Sequence, residues 1–239
     1  MTKPLPGERK DLVLDPNDSK LLEAELAEAQ KWLQRFGNIW FEAKRVADPP
    51  LLVSRAGAGS VLRIDQHDGG KGAQYFFISR KEQKHAFFDR PLPVFPPPRE
   101  TIAFLPQVAG TDILYDLTDE MLQGKCRPFV CDVTTVRCRV YALLPVQIEA
   151  IALTAGVAPA GSTAQVEFHD ARGQRLQAVF PFHFRIEADG NEIKSGYYVT
   201  EVDGRFDFSK TKLLTDLPPG ATLTVRSQLT GREKSCSLG

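Results

Sequence analysis

The sequence has no excess charge of either sign: Lys plus Arg and Asp plus Glu both number 30, so the formal net charge is zero. Such a chain has no global field to gather a polyanion, and nucleic acid drops out as a partner. It also lacks any apolar run near the ~18 residues that a membrane-spanning helix needs, so no membrane partner is expected. The opening MTKPLPGERKDLVLDP is basic but has no apolar stretch behind it, and it does not read as a signal peptide. Compartment then follows the parent: secreted or periplasmic for a fragment of a secreted protein, cytoplasmic otherwise. The four cysteines, at 126, 131, 138 and 236, show none of the CxxC spacing of a zinc site. There is no GxSxG nucleophile elbow, no HExxH and no P-loop. Gly57-Ala58-Gly59 stops short of a dinucleotide fingerprint. No cofactor is implied and no catalytic residue is assigned.

What the chain does have is an ordinary globular composition, 42% hydrophobic and 25% charged, with 15 Phe to fill sheet cores. The stretch 115–151 organises the rest. It reads as short strands around 128–133, 136–144 and from 146 onward, bracketed by Gly124 and Pro145. Before it, Leu22, Leu26, Ala29, Leu33, Phe36 and Trp40 recur at spacings of three and four. They predict one amphipathic helix over 17–35, ended by Gly37, with Lys31 and Arg35 suiting its C-terminal dipole. That stripe packs on the chain's own sheet or faces a partner. Residues 39–46 fit either more helix or a strand.

Ala73–Ser79 carries a continuous apolar run and predicts a central strand covered on both faces. The Pro-rich run 87–98 reads as a rigid edge segment or a ligand for a recognition module. From Gln147 onward, strands with turn signals every ten to fifteen residues or so predict an immunoglobulin-like sandwich. Ala164, Val166 and Phe168 should face inward in one strand, and Leu223 and Val225 in another. Residues 176–180 also read as a strand, and Ile148, Ala150 and Ala152 as one strand face. The fold expectation is mainly β: two β-sandwich domains, 1–146 with the N-terminal helix and 147–239 immunoglobulin-like.

Three segments resemble a known arrangement: Ile113-Leu114-Tyr115-Asp116-Leu117, then Phe129-Val130-Cys131-Asp132-Val133, then Cys138-Arg139-Val140-Tyr141-Ala142-Leu143-Leu144. They are similar to the C-terminal β-sandwich cap of carbohydrate-active enzymes, with its YDL strand, polar turn, VDL-ending strand and closing ARVYAL strand. Gln74–Ser79 fits the same module, with Ser79 where an asparagine is usual. Residues 161–229 resemble immunoglobulin-like modules that follow such caps in large bacterial glycoside-hydrolase-like proteins, through Asp170, Gly173, Pro181, His183, Asp189, Gly190, Asp203, Gly204, Pro219 and Gly220. The resemblance implies packing beside a catalytic domain, without chemistry of its own.

Candidate sites are few. Asp65 and Asp68 flank His67 in DQHDGG; as hard oxygen donors they suit calcium, or simply form a polar turn. Of the other histidines, His85 sits in a charged loop, His169 ends a strand beside Asp170, and His183 points opposite to Phe182 and Phe184. Cys131 and Cys138 flank a turn, so a disulfide across adjacent strands fits, as do two free thiols. Asp116, Asp119 and Glu120 cluster as a charged turn would place them, with Asp116 expected to satisfy turn amides. For sugar stacking the planar candidates are Trp40 and one of Tyr197 and Tyr198, which alternate across a strand. The expected function is that of a non-catalytic accessory module of a carbohydrate-active protein, partnered by that protein's catalytic domain. The rival is a free-standing sandwich that binds polysaccharide or protein.

Overall fold

The computed structural model describes residues 16–46, 51–54, 62–80, 99–104, 113–127, 129–133, 138–158 and 161–238. The lead-in before Asp15, His85 and the Pro-rich run 87–98 lie outside them. The described residues are mainly β with one α-helix. No described helix is long and apolar enough to cross a membrane.

Helix α1 (Pro16–Glu42) is longer than its sequence signal. Gly37 does not end it, because Phe36 and Ile39 on either side are buried, and that packing outweighs glycine's helix penalty of about 1 kcal/mol. With the end moved to Glu42, the last turn holds no basic residue, so Lys31 and Arg35 do not serve the dipole as expected. Of the stripe's described side chains only Phe36 and Trp40 are covered: Leu26 and Leu33 are 55% and 56% exposed.

After the helix come β1 (Lys44–Val46), β2 (Leu51–Ser54), β3 (Leu62–Gly70), β4 (Ala73–Arg80) and β5 (Arg99–Phe104). Then follow β6 (Ile113–Asp116), β7 (Met121–Lys125), β8 (Phe129–Asp132) and β9 (Cys138–Leu144). Six of these form one antiparallel sheet in the order β1-β3-β4-β9-β6-β7, and β2-β5-β8 form a second. As its composition predicts, β4 is central and covered twice. Tyr75 and Phe77 join Phe36 and Ile39 of the helix in one core, while Phe76 and Ile78 join Tyr141, Leu143 and Cys131 in another.

The later strands are β10 (Ala150–Ala158), β11 (Gly161–His169), β12 (Pro181–Ala188), β13 (Asn191–Val199), β14 (Arg205–Asp207), β15 (Thr222–Ser227) and β16 (Glu233–Ser237). They form two sheets, β10-β11-β14 and β13-β12-β15-β16. Alternation holds as read: Ala164, Val166 and Phe168 meet Phe182, Phe184, Ile186, Leu223 and Val225 in one core. Two readings are corrected. Residues 176–180 form no strand; Ala178, Val179 and Phe180 are a buried plug, and the seventh strand is β16 instead. In β10, Ile151 and Leu153 face inward while Ala150 is exposed, because the strand begins after Ile148 and takes its own register.

The two halves share contacts across Pro145. The backbone N–H of Val179 donates to the Gly69 carbonyl (2.8 Å), the Tyr75 hydroxyl donates to the Val179 carbonyl, and the Ile148 N–H donates to the Tyr115 hydroxyl (3.1 Å). Helix residue Arg35 is the hub. It donates to the carbonyls of Leu117 (2.6 Å) and Thr118 (3.2 Å), to Glu120 (2.9 Å) and to the Gln228 side chain (3.3 Å). Glu120 in turn accepts from Arg226 at 2.6 Å, so three separate segments close on one carboxylate. Arg35→Met should lower stability by about 2 kcal/mol, the worth of a charge-assisted hydrogen bond in a partly covered site. A urea midpoint that does not move would contradict this.

Candidate functional site

Two further knots of charge stand out beside the hub. In the first, Asp116 at the end of β6 accepts from the backbone N–H groups of Thr118 (3.0 Å) and Asp119 (3.3 Å), the turn-amide role expected of it. Its other oxygen accepts from Arg139 of β9 at 3.1 Å, and Arg139 also reaches Asp119 (2.7 Å) and the Asp132 carbonyl (2.7 Å). Burial pushes the Asp116 carboxyl up, with the turn amides and Arg139 pulling against that rise. In the second knot, Glu167 of β11 accepts from Arg205 (2.7 Å), Arg175 (3.3 Å) and His169 (3.1 Å). Burial alone would raise this carboxyl; the three donors outweigh it and hold the group below the usual carboxylate range. Both knots fasten strands and turns to one another.

The predicted site residues fall in different places. Asp65 and Asp68 do not share a turn: both belong to β3, where Asp65 is buried and paired with Arg63 at 2.8 Å. Asp68 is exposed and accepts from the Gly70 N–H. Among the described residues no group of three or more His, Cys, Asp or Glu side chains gathers as a cation site. His67 between them is buried, its Nδ1 at 3.1 Å from the Ala43 carbonyl oxygen and its ring 4.4 Å from that of Trp40. Trp40 also packs edge-on to Phe77 at 4.9 Å, which places it against the sheet.

Cys131 and Cys138 lie on strands of different sheets, β8 and β9, so the adjacent-strand premise is corrected; both are free thiols. Burial pushes Cys131 up to about 11 and Cys138 up to about 12, which keeps both as inert thiols at neutral pH.

The tyrosine pair divides as alternation requires. Tyr197 lies across from His183, ring to ring at 4.7 Å, and Tyr198 lies across from Phe182 on the inward face. Burial, with Arg185 and Arg226 nearby, lowers the His183 pKa against the pull of Glu192 and Glu120. The fold therefore favours neutral imidazole, and the stability this contributes is present above the ordinary 6.5 and is lost as pH falls below it. An NMR titration should place the His183 midpoint below 6.5; one at or above that value would contradict the assignment.

Tyr198 faces inward yet is only half-buried, because β13 and β14 are edge strands and the two sheets do not close over it. The opening is a groove of about 300 Å³, walled by the helix end at Asn38 and Glu42, by Thr200 and Glu201 after β13, and by Phe206 and Asp207 of β14. Asn38 is fixed there by donating to the Tyr197 carbonyl at 2.6 Å. Asp207 is held by the N–H (2.9 Å) and hydroxyl (2.6 Å) of Ser209. A second pocket of about 260 Å³ lies between Leu144, Pro145, Leu176 and Phe180 and is mostly apolar. Sequence reasoning reached Tyr198 but missed the other groove residues. They come from separate segments, and no local spacing links them.

No protein-family model matches the chain, and no curated protein matches it in sequence. Among solved structures, the Ruminococcus gnavus β-glucuronidase is similar at 8% identity and a TM-score of 0.23, over 69% of this chain and 34% of that one. The chain thus spans about a third of that enzyme's length, and a likeness this low bears no argument about activity.

Proposed function

We propose that the chain is a non-catalytic accessory part of a larger carbohydrate-active protein and packs against or positions its catalytic domain. In this reading it consists of two β-sandwich modules meeting near Pro145, the second immunoglobulin-like. The observation that carries the reading is the 3.1 Å pair between Asp116 and Arg139. Each residue lies in one of the segments that resemble the sandwich cap, and each is spent on fastening β6, its turn and β9 together. Chemistry would need a carboxylate open to substrate; this one is 5% exposed and already accepts from two amides and a guanidinium. The immunoglobulin-like reading is supported by strand order: of the seven later strands, the first, second and fifth face the fourth, third, sixth and seventh. Leu26 and Leu33, exposed seven residues apart on one face of the helix, support that face as the contact with the catalytic domain.

Two measurements test the proposal. The reading frame upstream of Met1 should encode a catalytic domain, and the purified chain should leave a panel of nitrophenyl glycosides intact. Turnover by the chain that disappears in Asp116→Asn would overturn it, as would an upstream frame holding no enzyme.

A further inference from the structure

The groove at the open edge of the later sandwich has a composition that selects a ligand class. We propose that it binds a single neutral pyranose ring, as a subsite of the carbohydrate-directed protein inferred above. One wall is aromatic: Tyr198 and Phe206 lie 5.2 Å apart, each braced from behind by Phe182. A braced ring loses little side-chain freedom on binding and offers a flat apolar face to the C–H face of a sugar.

The other wall is rich in acceptors. Glu42, Glu201 and Asp207 all line the space, and carboxylates accept from sugar hydroxyls through charge-assisted hydrogen bonds. The cation at the rim, Lys210, is paired with Glu201 at 3.1 Å, and that carboxylate holds its ammonium in the charged form. Three carboxylates against one ammonium make the groove acidic, so a uronic acid or sulfated sugar is repelled and a neutral one accepted. Asn38, anchored to the Tyr197 carbonyl, adds an amide whose oxygen can accept and whose remaining N–H can donate. The volume of about 300 Å³ stands at the lower end of ligand pockets and suits one ring rather than a chain.

The test uses the full chain and saturation-transfer NMR with the methyl glycosides of glucose, galactose, mannose and xylose. Methyl glucuronide serves as the acidic counterpart, and propylamine tests whether the groove simply collects cations. At least one neutral glycoside should show transfer, and the glucuronide should bind at least tenfold more weakly. The double variant Glu42→Gln/Glu201→Gln changes exposed groups and should weaken the neutral sugar about tenfold, while Tyr198→Leu should abolish transfer. If Tyr198→Leu fails to fold by near-UV circular dichroism, the double variant alone decides.

The proposal is overturned by absence of transfer from all four neutral glycosides. Equal or tighter binding of the glucuronide or of propylamine overturns it too, as does sugar binding that the double variant leaves unchanged. These results leave the upstream reading frame untouched, so loss of the groove and loss of the accessory role are told apart.

Discussion

Arg139→Met should cost about 3–5 kcal/mol at neutral pH, because removing one partner of a buried pair leaves the other charge uncompensated. The side chains of Asp116 and Arg139 are 5% and 17% exposed, so the carboxylate left behind is poorly solvated. The loss should also depend on pH in a definite sense. Burial already raises the Asp116 carboxyl. For an acid whose folded pKa lies above its unfolded one, the fold gains as the group takes up its proton and loses as pH rises through the folded value. Without Arg139 the folded value rises further, so the deficit of the variant should shrink between pH 7 and pH 5. Asp116→Asn/Arg139→Met should recover most of the loss, since an amide oxygen still accepts from the Thr118 and Asp119 N–H groups. Urea denaturation at the two pH values checks all of this. A single variant that is equally destabilised at both, or a double variant no better than the single, would remove the pair from the account of how this sheet is held.

The sequence made some of this legible and hid the rest, for identifiable reasons. Strand β4 announced itself because a central strand covered on both faces needs a continuous apolar run, and Tyr75–Ile78 supplies one. Phe182, Phe184 and Ile186 did likewise at period two. The segment 176–180 misled because burial and strand pairing look alike in one dimension. Its backbone groups are satisfied one by one, without a strand ladder. The Phe180 N–H and the Ala178 carbonyl both use the Thr200 hydroxyl (2.8 Å each), while the Val179 N–H uses the Gly69 carbonyl at 2.8 Å. No alternation rule foresees a threonine standing in for a strand.

The helix end was misplaced for a related reason: Gly37 is a local stop signal, and the packing of Phe36 and Ile39 that overrides it is tertiary. The hub around Arg35 was hidden by distance. Its acceptors lie 82 to 193 residues away in the chain, so nothing near Arg35 marks it as more than one cation among 30. The same holds for the groove, where Tyr198 stood out as an aromatic but Glu42 and Asp207 looked like any solvated acid.

The tightest approach of backbone to backbone suggests the other large effect. Gly204→Ala should destabilise the chain by about 2–4 kcal/mol, adding a left-handed backbone penalty near 1 kcal/mol to an overpacking cost of about 1–3 kcal/mol. Gly204 has φ +82°, and a Cβ built on it falls on the carbonyl oxygen of Leu176, with the Gln177 Cα 3.4 Å away. Neither neighbour can swing aside as a side chain would, because the N–H of Leu176 is tied to the Phe168 carbonyl at 2.8 Å. Gly124→Ala separates the two contributions. Its φ is +88° but nothing lies within 4 Å of the added carbon, so only the conformational penalty of about 1 kcal/mol remains. The turn that Gly204 closes, with its N–H donating to the Glu201 carbonyl at 2.9 Å, also holds Glu201 at the groove. Gly204→Ala should therefore weaken sugar binding even at temperatures where the chain stays folded, and Gly124→Ala should not. Equal thermal shifts for the two variants would mean that the segment 176–177 yields to the added methyl and does not fix the turn.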